Sequence, residues 1–166
     1  KVYELDSTRT DILSKISVKC FQNKDWNCVT TALQKKKDLT SQEYFDLGKA
    51  YYFLQDYVNA DTSFGMLISR VPELAVAYFW KARVQTQFDT TSEAGTAKPF
   101  YEQFVLLSKE DTTKYRKELL EVYSYLGYHF FLIDDKQNSL LNWEKVYAID
   151  PNNEQAKAAL EQLRKL

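Results

Sequence analysis

Three features of this sequence predict an all-α fold built from repeated helix pairs. Gly and Pro number only four and three in 166 residues, too few for a turn-rich β-fold. Apolar residues recur at i, i+3, i+4 and i+7, the spacing of one helix face. One helix–turn–helix pattern also occurs twice. Tyr44, Leu47, Gly48, Tyr51, Ala60, Phe64 and Pro72 are answered by Tyr123, Leu126, Gly127, Phe130, Ser139, Trp143 and Pro151.

Taken in order, Leu13, Ile16, Ser17 and Cys20 form the stripe of a first helix, and Trp26, Val29 and Leu33 that of its partner. Thr40 and Glu43 have the spacing of a capping box and start the second copy. There Tyr44, Leu47, Gly48 and Tyr51 make one stripe and Ala60, Phe64, Leu67 and Ile68 the next, with Asp56 as N-cap between them. Gly48 costs about 1 kcal/mol inside a helix relative to Ala, and close approach of the partner helix is the expected compensation. Val71-Pro72 ends that helix, because the residue before Pro avoids the α region. Tyr78 and Ala82 open the third copy, and Ala97, Tyr101 and Phe104 close it. A polar insertion, residues 89–96, lies between them, and Pro99 fits a helix's first turn. Asp111 is expected to cap an early-starting helix of the fourth copy, running from Thr112 to Ile133, with 114–118 on its extra turns as a second contact patch or packed under the insertion. Asp134 and Asp135 read as a helix-capping turn rather than a catalytic carboxylate pair. A last helix, Glu154 to Lys165, buries Ala156, Ala159, Leu160 and Leu163. It places Glu161 where Gly48 and Gly127 stand in the repeats, so it reads as a terminal cap with a polar outer face. No such cap precedes Lys1, which leaves room for further repeats there. With no initiating Met, the chain reads as a fragment.

The pattern resembles the tetratricopeptide (TPR) signature, Trp-x2-Leu-Gly-x2-Tyr, then Ala-x3-Phe, then Pro. Ser41–Leu74 resembles it at nearly every position, with Tyr44 in place of the Trp. Leu120–Asn153 does so with Ser139 for Ala and Trp143 for Phe. The resemblance implies a TPR-type α-solenoid of about four antiparallel helix pairs plus a C-terminal capping helix. The repeats would fall at about 7–40, 41–74, 75–119 with the insertion, and 120–153, with the cap at 154–165, in a single domain over 1–166. The insertion and long fourth-repeat helix resemble TPR proteins of bacterial cell envelopes.

Charge and composition narrow the function. Lys plus Arg is 22 against 23 Asp plus Glu, so the chain lacks the basic surface that nucleic acid requires. The Lys35-Lys36-Lys37 run reads as a solvated helix end. No run of about 18 apolar residues is present to span a membrane. Cys20 and Cys28 would suit two facing helices, so an oxidising compartment would allow a bridge; two small buried thiols are the expectation. His129 is the only histidine and reads as structural. The chain has no nucleophile–base pair, metal-ligand cluster or phosphate loop. The expectation is therefore a non-catalytic scaffold with no cofactor and no metal.

A TPR fold implies that the first helix of each pair lines a concave groove. The residues beside the core stripe are then the candidate partner-binding set: Phe45, Lys49 and Tyr52 in the second repeat, Phe79 and Arg83 in the third, Ser124, Tyr128 and Phe131 in the fourth. Aromatics and Arg are the types that dominate interface hot spots, so a protein or peptide partner is expected. Chaperone-binding TPR domains hold a carboxylate with a set of Lys, Asn and Arg residues. The corresponding positions here are Ser14, Val18, Lys49, Phe79 and Arg83, of which only Arg83 agrees. The alternative is an assembly module, the terminal repeats of a larger protein that position another domain or mediate oligomerisation.

Overall fold

The computed structural model describes residues 2–165, with side chains from residue 9 onward. The described elements are α1 (Val2–Gln22), α2 (Trp26–Leu33), α3 (Ser41–Phe53), α4 (Tyr57–Arg70), α5 (Ala75–Phe88), α6 (Lys98–Ser108), α7 (Arg116–Leu132), α8 (Lys136–Ile149) and α9 (Glu154–Leu163). The fold is all-α, with consecutive helices packed as antiparallel pairs. Two compact units, residues 1–84 and 85–166, meet at a boundary within α5.

The turns inside three pairs, α1–α2, α3–α4 and α7–α8, share one construction. Lys24, Gln55 and Asp134 take positive φ, at 57°, 62° and 59°. The amide of the residue that follows reaches back to the carbonyl five residues earlier: Asp25 to Cys20, Asp56 to Tyr51, Asp135 to Phe130. That is the Schellman arrangement for closing a helix. The same Asp then caps the next helix, its side chain accepting from the amides of Cys28, Asn59 and Asn138. One residue therefore ends one helix and starts the next, and the connection needs only three residues.

The glycines of the repeat stand where the partner helix lays a ring on the backbone. A Cβ on Gly48 would lie 2.8 Å from the Phe64 ring, and one on Gly127 2.7 Å from the Trp143 indole. Phe64 is fully buried and Trp143 nearly so. Burial of such rings stabilises by a few kcal/mol each, which outweighs the helix penalty of glycine. Val71 and Asp150 leave the helical region (φ −137° and −138°) and end α4 and α8 ahead of their prolines. Thr40 and Glu43 form the expected capping box.

Four expectations are corrected. Cys20 and Cys28 are joined in a disulfide, with Cα atoms 5.7 Å apart, because the three-residue turn brings the end of α1 against the start of α2. Lys36 is not solvated. Its ammonium pairs with buried Glu43 and donates to Ser14 Oγ at 2.7 Å, tying α1 to α3. Ile16 is 41% exposed and lies off the buried stripe. The long helix begins at Arg116, not Thr112. Asp111 instead receives the Lys114 amide at 3.3 Å in a local turn, and the β-branched Thr112 and Thr113 favour that turn over a helix. Tyr115 folds onto Phe104, ring centroids 5.5 Å apart, so residues 114–118 do not project on extra helical turns.

Candidate functional site

In the first unit α3 carries Phe45, Lys49 and Tyr52 at i, i+4 and i+7, and α5 carries Phe79, Trp80 and Arg83. These residues converge on the Trp80 indole. The Lys49 ammonium lies 4.8 Å from the Trp80 centroid, 5.3 Å from that of Phe21 and 5.5 Å from that of Phe45. The Arg83 guanidinium lies 5.0 Å from the Trp80 centroid and 4.8 Å from that of Phe79. Tyr52 meets Trp80 edge-on at 5.4 Å, and Trp80 stacks on buried Phe64 at 6.2 Å. A cation–π contact is worth up to about 2 kcal/mol when desolvated, and at Lys49 the cost of burying the ammonium offsets that gain.

Two cations over one indole set the local electrostatics. Burial pushes the Lys49 ammonium below its usual value; the charge of Asp46 opposes this and that of Arg83 adds to it. Asp46, itself buried, is pushed up by burial despite a hydrogen bond from Gln42 Nε2 at 2.8 Å and the charge of Lys49. Phe79 is 4% exposed, so its ring is a floor beneath Arg83 rather than a contact surface. Sequence reasoning missed Trp80 and Phe21 as parts of this cluster. The available signal was the i, i+3 spacing of Trp80 and Arg83, which puts both on one face of α5.

In the second unit, α7 presents Tyr128 and Phe131, both exposed, and half-buried Ser124. Tyr128 and Phe131 line a shallow pocket of about 160 Å³ with Trp143 of α8 and Ala159 and Gln162 of α9. Ser124 is not part of that lining. The sequence-predicted set thus resolves into two clusters, one in each unit.

The one histidine is an anchor. His129 is buried, its Nδ1 2.7 Å from the Ser92 carbonyl and its ring stacked on Tyr125. Gly95, at φ +67°, lies over that ring; a Cβ there would approach Cε1 to 2.5 Å. Asp89, also buried, accepts from the amides of Gly95 and Thr96 at 2.8 and 3.3 Å. These bonds order the insertion, which the sequence shows only as a polar run. Among the described residues no group of His, Cys, Asp and Glu is placed to hold a metal ion, and no helix is long and apolar enough to cross a membrane.

This arrangement of helix pairs recurs in solved structures. The C-terminal part of a TPR repeat-containing protein from Cytophaga hutchinsonii matches 93% of this chain with a TM-score of 0.82 and 28% identity. The chain has the tetratricopeptide-repeat fold. It spans 61% of that TPR neighbour. MamA from Desulfovibrio magneticus RS-1 matches 95% of the chain and 84% of its own at 17% identity, TM-score 0.69. The first TPR of Spaghetti, solved with an HSP90 peptide, matches 76% of the chain and 97% of its own at 18% identity, TM-score 0.56. No family model and no curated relative matches the sequence. The TPR fold is generally a protein-interaction module and typically non-catalytic.

Proposed function

We propose that this TPR chain is a non-catalytic interaction module that takes an acidic segment of a protein or peptide partner on the aromatic surface of α3 and α5. The observation that carries the reading is the pairing of Lys49 and Arg83 over the single Trp80 indole, with Lys49 held below its usual pKa. A carboxylate beside the two cations would offset the desolvation cost of Lys49 and counter its repulsion from Arg83. Phe45 and Tyr52 supply the apolar flanks that anchor a segment, and Tyr128 and Phe131 offer an apolar contact in the second unit. The TPR neighbour solved with a peptide has the acidic ligand SRMEEVD. Only Arg83 matches the residue set of that chaperone-binding type, so a different geometry of carboxylate capture is proposed. The Cys20–Cys28 disulfide supports an oxidising compartment such as a cell envelope.

Affinity capture from source cells, read by quantitative mass spectrometry, tests this. The bait is the chain beside an equally folded Lys49→Glu, Tyr52→Ala, Arg83→Glu variant. The proposal expects a protein held by the first and lost by the second, with an acidic segment at the contact. The same proteins on both baits would refute it. Alkylation of the unreduced protein should leave both cysteines unlabelled.

A further inference from the structure

We propose that the second unit carries a separate binding site for a small apolar carboxylate, at the end of the α7–α8 pair where α7 begins. The open cleft there has a volume of about 420 Å³, within the roughly 300–1,000 Å³ of small-molecule sites. Leu119 and Tyr123 of α7 and Ala148 and Ile149 of α8 give it an apolar lining, and Arg116 and Lys145 supply two cations. The Arg116 guanidinium is oriented by donating from Nη2 to the Ile149 carbonyl at 2.7 Å, which uses one of its five N–H groups. The Lys145 ammonium lies 4.9 Å from the Tyr123 centroid.

The second repeat shows what closes such a site. Two residues before its proline stands Arg70, whose guanidinium covers the Tyr44 ring at 4.9 Å and donates to the Leu39 carbonyl at 2.6 Å. Two residues before Pro151 stands Ile149, which is short and apolar, and the cleft lies beside Tyr123. In the fourth repeat no guanidinium stands at this position to cover the Tyr123 ring, and Arg116 and Lys145 lie at the margin instead. An apolar body resting on Leu119, Tyr123 and Ile149, with its carboxylate paired to Arg116 and Lys145, complements both shape and charge.

The test is an NMR titration of the ¹⁵N-labelled chain with 3-phenylpropionate and with neutral 3-phenylpropanamide. The acid should give saturable shifts at the amides of Leu119, Tyr123, Ala148 and Ile149, and the amide should bind about tenfold more weakly or worse, the scale of one charge-assisted pair. Ile149→Arg, which restores the arginine of the second repeat, should abolish saturation while the rest of the spectrum stays in place. Lys145→Gln should weaken binding about tenfold. The Lys49→Glu change, in the other unit, should leave this titration unaltered, which separates the two sites. Shifts that never saturate, equal binding of the neutral analogue, or undiminished binding by Ile149→Arg would each overturn the proposal.

Discussion

The second and fourth repeats are two solutions to one packing problem. Both place a glycine on the first helix under an aromatic ring of the second: Gly48 under Phe64, Gly127 under Trp143. Both close the pair with a left-handed residue followed by a capping Asp. They differ where the ring is larger and where the helix begins. Beside Trp143 the small residue is Ser139 rather than Ala60, and its hydroxyl donates to the Gly127 carbonyl at 2.8 Å. The second repeat starts from a full capping box reinforced by the buried Lys36–Glu43 pair. The fourth starts at Tyr115, which gives no side-chain cap. The core of a repeat accepts Phe or Trp and Ala or Ser, whereas its ends differ, and the cleft beside Tyr123 lies at such an end.

The largest effect should come from the helix start. Burial pushes the Glu43 carboxyl up, but hydrogen bonds from Lys36, the Thr40 amide and Ser14, with the charge of Lys36, bring it below its ordinary 4.5. Its contribution is therefore present above that value and is lost as pH falls through the lowered folded value. Glu43→Gln leaves Lys36 buried without its counter-charge and should cost about 3 kcal/mol at neutral pH, measured by urea unfolding, with less of the decline below pH 4.5 than the parent shows. An equal cost at pH 3 and pH 7 would separate Glu43 from that titration.

Next come the glycines. Gly48→Ala and Gly127→Ala should each lose about 1–3 kcal/mol from overpacking, despite the better helix propensity of Ala. A gain at either position would show that its ring is free to move. The exchange of small residues should matter less. Ser139→Ala should stay within about 1 kcal/mol, the net worth of one neutral hydrogen bond, and a larger loss would make that bond essential to seating Trp143. The smallest change belongs to the turns. Gln55→Gly should raise stability by about 0.5 kcal/mol, as glycine takes positive φ without strain. Asp134→Gly should gain less, because Asp tolerates that region better than Gln.

What was legible in the sequence follows from what repeats. Gly48 and Gly127, the capping Asp residues and the helix-ending prolines recur at fixed spacing, and each acts within a few residues of its own backbone. The capping box at Thr40 was readable for the same reason. The Lys36–Glu43 pair was not, since nothing in a run of three lysines marks the middle one for burial. The disulfide depended on the tightness of a turn whose left-handed residue is Lys24 rather than glycine. At the candidate site Phe45, Lys49, Tyr52 and Arg83 came from the TPR resemblance, which puts the residues beside the core stripe on a groove, whereas Trp80, three residues before Arg83 on α5, was overlooked and Phe21 joins from α1 only through packing. The insertion gave no helical period to read, because its order comes from Asp89 and His129.

The proposed function requires that Lys49 serve a partner rather than the fold, and urea unfolding of Lys49→Met at neutral pH separates the two. A lowered ammonium pKa means that folding disfavours the charged form, so the native state binds fewer protons just below 10.5 and stability rises with pH there. Removing the charge while keeping a long apolar side chain should therefore leave stability equal to the parent's or higher, with the partner captured by the parent chain no longer held. A loss of about 2 kcal/mol, the upper range of a desolvated cation–π contact, would refute the partner role and make the Trp80 cluster part of the core.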